Sequence, residues 1–368
     1  MIQFQPKRVK EILNFRESPK EKENRITGQY AHEADNKIYY QVYGSKNDPE
    51  IHVAEYDGEK YVKPDNNCVL KGSLAAHNFR VFVDTNPNST TRLKAVGGFH
   101  TSYPHPHLNA SDNLDILDCH DPVWPNLGKK RFVIDKKHPA HANGLYIFES
   151  EDGKKWTTIN EKPVLSDFTL CKDRWGDLPI GTMASDTLPT AFYDHNISSY
   201  VLYTRANIKL GVRHVLRTTS KNLINWTQPT LIQCSPAFGS RHDNLYYSGV
   251  YPYPKEDFYI AFPPHFKNII KDAEGHHREY YNEKTLVMVS RDGIQWKTIG
   301  EMFVHDGSNP EWGGHMRAPH VLGFKIIDDK VLLHVHEHFL TFENKMVLYT
   351  LEKEEFEGLI KNALNSIP

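Results

Sequence analysis

TLVMVSRDGIQWKTI, Thr285–Ile299, reads as a strand, a Ser followed by a short polar turn, then Trp and a second strand. Two relatives lie upstream, GLYIFESEDGKKWTTI (Gly144–Ile159) and VLRTTSKNLINWTQP (Val215–Pro229). A fainter copy, IHVAEYDGEKYVKP (Ile51–Pro64), has Tyr61 in place of the Trp. Trp156, Trp226 and Trp296 are spaced 70 and 70 residues apart. A fixed period of strand-turn-strand units is the mark of a repeat architecture, and such units build propeller blades. Asp152-Gly153 and Asp292-Gly293 supply the positive φ that a tight antiparallel turn needs. The Trp of each unit is expected to pack between neighbouring blades. Ordinary hairpins of a sandwich would not explain the equal spacing.

Composition narrows the class. The chain has 368 residues, 39% hydrophobic and 12% aromatic, enough for a large core and too apolar for disorder. A net charge of −2 gives no pull towards nucleic acid or an anionic membrane, so neither is an expected partner. No apolar run approaches the ~18 residues of a membrane span, and the polar N-terminus has no secretory apolar stretch, so the expected compartment is the cytoplasm. Cys68, Cys119, Cys171 and Cys234 lack paired spacing and read as reduced thiols, neither a disulfide framework nor a zinc site.

The chain then divides into an N-terminal arm over residues 1–27, a single propeller domain over 28–352 and a C-terminal helical tail over 353–368. The arm carries a short helical pattern at Val9–Phe15. Blade one is expected to start at Lys37 and blade two at His77; blades three, four and five follow from Ser185, Asn244 and Met316. The result is an all-β, five-bladed propeller. Tyr103–Asn143, rich in His, Pro and Asp, has no periodicity and is the expected insertion over the propeller mouth.

Inner strands of a propeller converge on one channel, so residues far apart in sequence meet there. The acids expected at such positions are Asp84, Asp186, Asp243 and Glu337, as the catalytic set. Arg80, Arg205, Tyr247, His265, Glu311, His315, Arg317 and His336 are the expected substrate contacts. Recurring carboxylates suit glycoside cleavage, which needs a base or nucleophile and a protonated acid about 5–9.5 Å apart. Crowding carboxylates raises at least one pKa, as an acid catalyst at neutral pH requires. A plainer role for Asp84 and Asp186 is turn capping, before Thr-Asn-Pro-Asn and Thr-Leu-Pro respectively.

The closures Ser290–Trp296, Ser220–Trp226 and Ser150–Trp156, with FVDTNPN around Asp84, resemble the five-bladed propeller glycoside hydrolases of families 43 and 32. That resemblance implies a glycosidase with a carbohydrate substrate and no cofactor. Family 43 draws an Asp base and an Asp modulator from early blades, roles that Asp84 and Asp186 fit by position. Its Glu acid has no counterpart in mid-chain, where Asp243 stands; Glu311 and Glu337 come later. The family 32 nucleophile motif is absent, and Asp84-Thr-Asn-Pro-Asn only echoes it.

Three alternatives follow from the same residues. A non-catalytic carbohydrate-binding propeller keeps the fold without turnover. A glycoside phosphorylase uses an Arg/His cluster such as Arg205, His265 and Arg317 to hold phosphate. A sialidase-like hydrolase uses Arg80, Arg205, Arg213 and Arg317 on an acidic sugar, with Tyr246 or Tyr247 as nucleophile. HVHEH places His334, His336 and His338 on one strand face, a metal site in form, although hydrogen-bonded channel histidines are the expected reading. No P-loop, dinucleotide, zincin or serine-hydrolase motif occurs.

Overall fold

The computed structural model describes residues 1–17, 26–43, 49–71, 77–99, 115–117, 132–134, 144–160, 163–166, 169–173, 176–179, 187–208, 212–235, 243–270, 278–305, 318–339 and 343–365. They form an all-β propeller with one helix among the described residues, Lys353–Leu364. No described helix is long and apolar enough to cross a membrane.

Five sheets hold four strands or more and follow one another along the chain. The first runs outward from Ile26–Ala34 through Lys37–Tyr43 and Pro49–Tyr56. The second starts at His77–Val83, the third at Thr190–Asp194, the fourth at Asp243–Leu245 with Val250–Pro252, and the fifth at His320–Ile327. The central strands of each sheet pair antiparallel, while Ile2–Gln3 and Gln233–Ser235 pair parallel with Gln295–His305, and Leu170–Asp173 with Thr230–Leu231.

Each sheet packs on the next through its own apolar cluster. Tyr39 and Val53 meet Phe79 and Phe148 between the first and second sheets. Leu145 and Ile147 meet Tyr200 and Leu202 between the second and third. Tyr203 and Val215 meet Tyr259 and Trp296 between the third and fourth. Ile260 and Val287 meet Val331 and Leu333 between the fourth and fifth, where Phe356 and Ile360 of the helix also pack. Phe15 and Met346 of the fifth sheet then meet Ile38 and Tyr40 of the first, which closes the ring.

The repeated turn is the same device three times. In the last copy Gly293 N–H donates to Ser290 Oγ at 2.9 Å, and Ile294 and Gln295 N–H donate to Asp292 Oδ1 at 2.8 and 2.7 Å. Trp296 Nε1–H donates to Gly293 O at 3.0 Å. Trp156 and Trp226 donate likewise to Gly153 O and Leu223 O, at 3.2 and 2.9 Å. The residues accepting from the indoles have φ of 73°, 64° and 73°, the left-handed conformation glycine favours. Trp296, 2% exposed, lies with its ring 6.2 Å from Tyr203 of the preceding sheet, and Trp156 stands equally far from Tyr39. The expected packing of the Trp between sheets is met.

Two expectations for the chain's start are corrected. Val9–Phe15 is not helical: Lys7–Asn14 is a strand that pairs with Lys345–Glu352 and supplies the outer edge of the fifth sheet. Two register shifts, between Arg8/Lys10 and Glu11/Leu13, break the twofold alternation and leave apolar residues at helix-like spacing. The first sheet also begins one strand earlier than Lys37, at Ile26–Ala34, whose pairing shifts register twice and hides its period. The hairpin after it turns at Asp35-Asn36, φ 54° and 58°, as a tight two-residue connection requires. Within Tyr103–Asn143 the described part is a two-stranded ribbon, Asp115–Leu117 against Phe132–Ile134; the rest of that expected insertion lies outside the described residues.

Candidate active site

The direction of the inner strands decides which side chains can meet. Arg80 Nη1 donates to Thr190 Oγ1 at 3.0 Å, and five residues further along both strands Thr85 Oγ1 meets His195 Nε2 at 2.9 Å. The inner strands of the second and third sheets therefore run parallel along the channel, and the bonds of Thr187 to Tyr246 and of Thr190 to Ser248 carry the alignment to the fourth.

Asp84 stands at the C-terminal end. Its Oδ1 accepts from Asn86 N–H at 3.0 Å and its Oδ2 from Tyr200 OH at 2.9 Å, with Lys94 Nζ 3.9 Å away. Asp194 repeats this one sheet later, capping Asn196 N–H at 2.9 Å and accepting from Tyr259 OH. Asp84 is thus held as a turn cap that ties one sheet to the next. Asp186 lies outside the described residues, but Thr187, which follows it, stands at the opposite end. Along the strand register Asp84 and Thr187 are seven residues apart, roughly 23 Å at ~3.3 Å per residue. The structure does not bring Asp84 to the end at which Asp186 joins the described chain.

That N-terminal end holds Asp243. It is 5% exposed; His265 Nε2 lies 3.1 Å from its Oδ1 and Lys267 Nζ 3.8 Å from the same oxygen. The pairing of Asp243–Leu245 with Pro264–Ile270 puts Asp243 opposite Lys267, so both partners follow from strand register. Beside this pair, Arg205 and Arg213 lie over the Tyr246 ring, 5.8 and 5.9 Å from its centre. Tyr246 OH bonds Tyr30 OH at 2.8 Å, and Thr187 Oγ1–H donates to Tyr246 O at 3.1 Å. Tyr30, Leu188, Tyr246, Tyr247, Phe266, Leu322 and Phe339, drawn from four sheets, form one apolar cluster there. The arrangement offers a buried carboxylate, four cationic or titratable groups and an aromatic floor.

The remaining expected residues separate. Glu337 is claimed by Arg8, whose Nε and Nη2 donate to its two carboxylate oxygens at 3.0 and 3.2 Å, and by Tyr349 OH at 2.6 Å. Burial raises its pKa, but these bonds outweigh burial and hold it below the ordinary value, so it stays ionised and is a poor proton donor. His336 is 0% exposed between Phe15 and Phe339, with neither ring nitrogen bonded, and burial drives its pKa well down. Tyr247 is 1% exposed against His320, its hydroxyl unbonded. His320 is also neutral, its pKa lowered by burial to about 3. Arg80 lies further along the channel, bonded to Thr190 and Tyr251. Glu311, His315 and Arg317 lie outside the described residues.

Tyr30 and Lys267 were not expected at the site. Tyr30 went unseen because its strand was read as part of the arm; Lys267 is signalled only by its two-residue spacing from His265. His334, His336 and His338 do not form a three-ligand group among the described residues. One such group does occur there, Glu50, His52 and Cys68, with ligand atoms within 4.8 Å of one another on the first sheet.

The chain matches no protein-family model and no curated protein. Solved structures similar to it include a mannose phosphorylase from Leishmania mexicana in complex with phosphate ion, at TM-score 0.50 and 7% identity over 96% of this chain and 90% of that one. Others are an alpha-L-arabinanase of Penicillium chrysogenum complexed with arabinobiose (TM-score 0.44, 9% identity, 95% and 99% covered) and an alpha-L-arabinofuranosidase of Fusarium graminearum (0.45, 9%, 96% and 98%). The resemblance read from the blade closures is met at the level of fold.

Proposed function

We propose that the five sheets are the blades of a five-bladed propeller that cleaves a glycosidic bond at the end of its channel where Asp243 stands. The observation that carries this reading is the buried Asp243–His265 pair, 3.1 Å apart, beside Arg205, Arg213 and Tyr246. In the hydrolytic form Asp243, beside its cationic partners, takes the proton of the water whose oxygen bonds to C1, and a second carboxylic acid gives a proton to the leaving oxygen as the C1–O bond breaks. The second carboxylate comes from Asp186 or Glu311, whose segments join the described chain at this end, at Thr187 and Ala318. A separation of about 5 Å or of 6.5–9.5 Å between the two then sets retention or inversion.

Phosphorolysis is the second form, and a specific feature favours it. Arg205 and Arg213 lie over Tyr246, and His265 and Lys267 lie against Asp243, a set suited to an oxyanion, and the fold likeness at TM-score 0.50 is to a mannose phosphorylase. Phosphate oxygen would then replace water at C1, yielding a sugar 1-phosphate. Reducing-sugar release from a glycan panel, with and without phosphate, separates the forms. Turnover that needs no phosphate supports the hydrolase, and sugar 1-phosphate formation the phosphorylase. Binding without turnover in either buffer would leave only a carbohydrate-binding propeller.

A further inference from the structure

A cavity of about 400 Å³ opens at the C-terminal end of the inner strands, and residues of all five sheets line it, among them Glu33, Arg80, Thr190, Tyr251 and Lys325. It is not the proposed cleavage centre: Tyr251 comes eight residues after Asp243 along the innermost run of the fourth sheet. Arg80 is 7% exposed. Its Nη1 donates to Thr190 Oγ1 and its Nη2 to Tyr251 OH, both at 3.0 Å, and the guanidinium stands 5.6 Å from the Tyr251 ring centre.

These partners are all neutral, and among the described residues no carboxylate lies within 4.0 Å of Arg80. The acids at the cavity mouth already have their own cations. Glu33 pairs with Lys325 at 2.8 Å, and Asp35 pairs with Arg92 and, at 3.8 Å, with Lys37. Arg80 is the cation left over. Its charge acts on its surroundings: burial, then Arg80, lowers the pKa of His32 to about 3. A guanidinium has five N–H donors in a planar fork, so two used bonds leave three for a ligand. A buried charge without a counter-charge is costly, and an oxyanion removes that cost.

We propose that this cavity binds a small oxyanion, a carboxylate or an inorganic phosphate, on the free edge of Arg80, as a site separate from the cleavage centre. The test is calorimetric titration of the full chain with sodium phosphate and with sodium glucuronate, at constant ionic strength, alongside thermal melting. Wild type is expected to bind at least one of them saturably, one per chain, and to melt higher as it does. Arg205→Met, which removes a cation of the cleavage centre, is expected to fill this site with the affinity of wild type, which keeps this result independent of the cleavage reading. Arg80→Met is expected to bind at least ~10-fold more weakly, yet to melt no lower than wild type in oxyanion-free buffer, because it removes an uncompensated charge. Arg80→Lys keeps the charge without the fork and is expected to fall between them. No saturable binding to wild type, or equal binding by Arg80→Met, overturns the proposal. Should Arg80→Met not fold, undiminished affinity in Arg80→Lys overturns it.

Discussion

The two ends of the channel are made of different material. At the C-terminal end of the inner strands the chain turns back on itself, and its polar side chains satisfy backbone a few residues away. Asp84, Asp194, Asp152 and Asp292 all cap N–H groups two or three residues on. At the other end the polar groups look outward to partners from other strands and sheets: Asp243 to His265 and Lys267, Tyr30 to Tyr246, Thr187 to Tyr246. An acid at the first end is occupied by the fold. At the second, Asp243 is held by titratable and cationic side chains rather than by a turn, so Asp243 and Asp84 are expected to do different work although both sit at the tips of inner strands.

The largest expected effect tests that division directly. Asp243→Asn should lower kcat by ~10²–10⁴, the loss expected of a general base, with the melting temperature nearly unchanged. Asp84→Ala should do the reverse: about 1–3 kcal/mol of stability lost, through the missing cap and the acceptor taken from the Tyr200 hydroxyl proton, with normal turnover per folded molecule. Paired kcat and Tm measurements read both. Reduced turnover in Asp84→Ala with intact Tm would dissolve the distinction between the ends.

The same contrast explains what the sequence made legible. The turns closing at Trp156, Trp226 and Trp296 could be read because the bonds of their Ser, Asp or Asn and Trp side chains span two or three residues, so local spelling carries the geometry. The bonds of Asp84 to Tyr200, 116 residues away, and of Glu337 to Arg8, 329 away, could not be read in the same way. Pairing at that range leaves no local trace. Nor does a motif state which end of a strand faces substrate; that depends on strand direction around the ring. Asp243 and His265 were found, but their contact rests on the register between two strands.

A second expectation concerns the turn-built end. Gly293 has φ 73°, and a Cβ there would stand 2.3 Å from Tyr203 OH, which now donates to Gly293 O at 2.9 Å. Gly293→Ala should therefore cost about 2–4 kcal/mol, combining left-handed strain with a displaced hydroxyl. Chemical denaturation measures it. A loss below ~0.5 kcal/mol would mean that the turns do not hold the sheets together.

Between the ends, His32 gives a smaller, pH-dependent effect. Val81 N–H donates to its Nε2 at 2.8 Å, which requires the neutral ring, and burial followed by the Arg80 charge lowers its pKa to about 3. The unfolded chain takes up the proton near pH 6.5 and the folded one does not. Stability from this residue is therefore complete above ~6.5 and declines towards pH 3, by up to about 1.4 kcal/mol per unit. His32→Gln keeps an acceptor for Val81 without titrating, so its Tm should fall less steeply than wild type between pH 6 and 4. Parallel slopes would show that His32 is protonated in the folded protein.

The smallest effect is expected at Glu337, which lies at the same end of the strands as Asp243 yet is bound like the acids of the other. Arg8 is 46% exposed, so solvent screens the ion pair and its loss should cost about 1 kcal/mol or less. The Glu337 pKa lies below its ordinary value of 4.5: burial raises it, while the bonds from Arg8 and Tyr349 lower it further. The folded state thus favours the carboxylate, and its contribution is present above pH ~4.5 and lost as pH falls through the folded value. Glu337→Gln should flatten the acid limb of the stability profile below that pH and leave kcat at neutral pH unchanged. A fall in kcat of tenfold or more, with Tm held, would return Glu337 to the reaction and show that an arginine-paired acid at this end still reaches substrate.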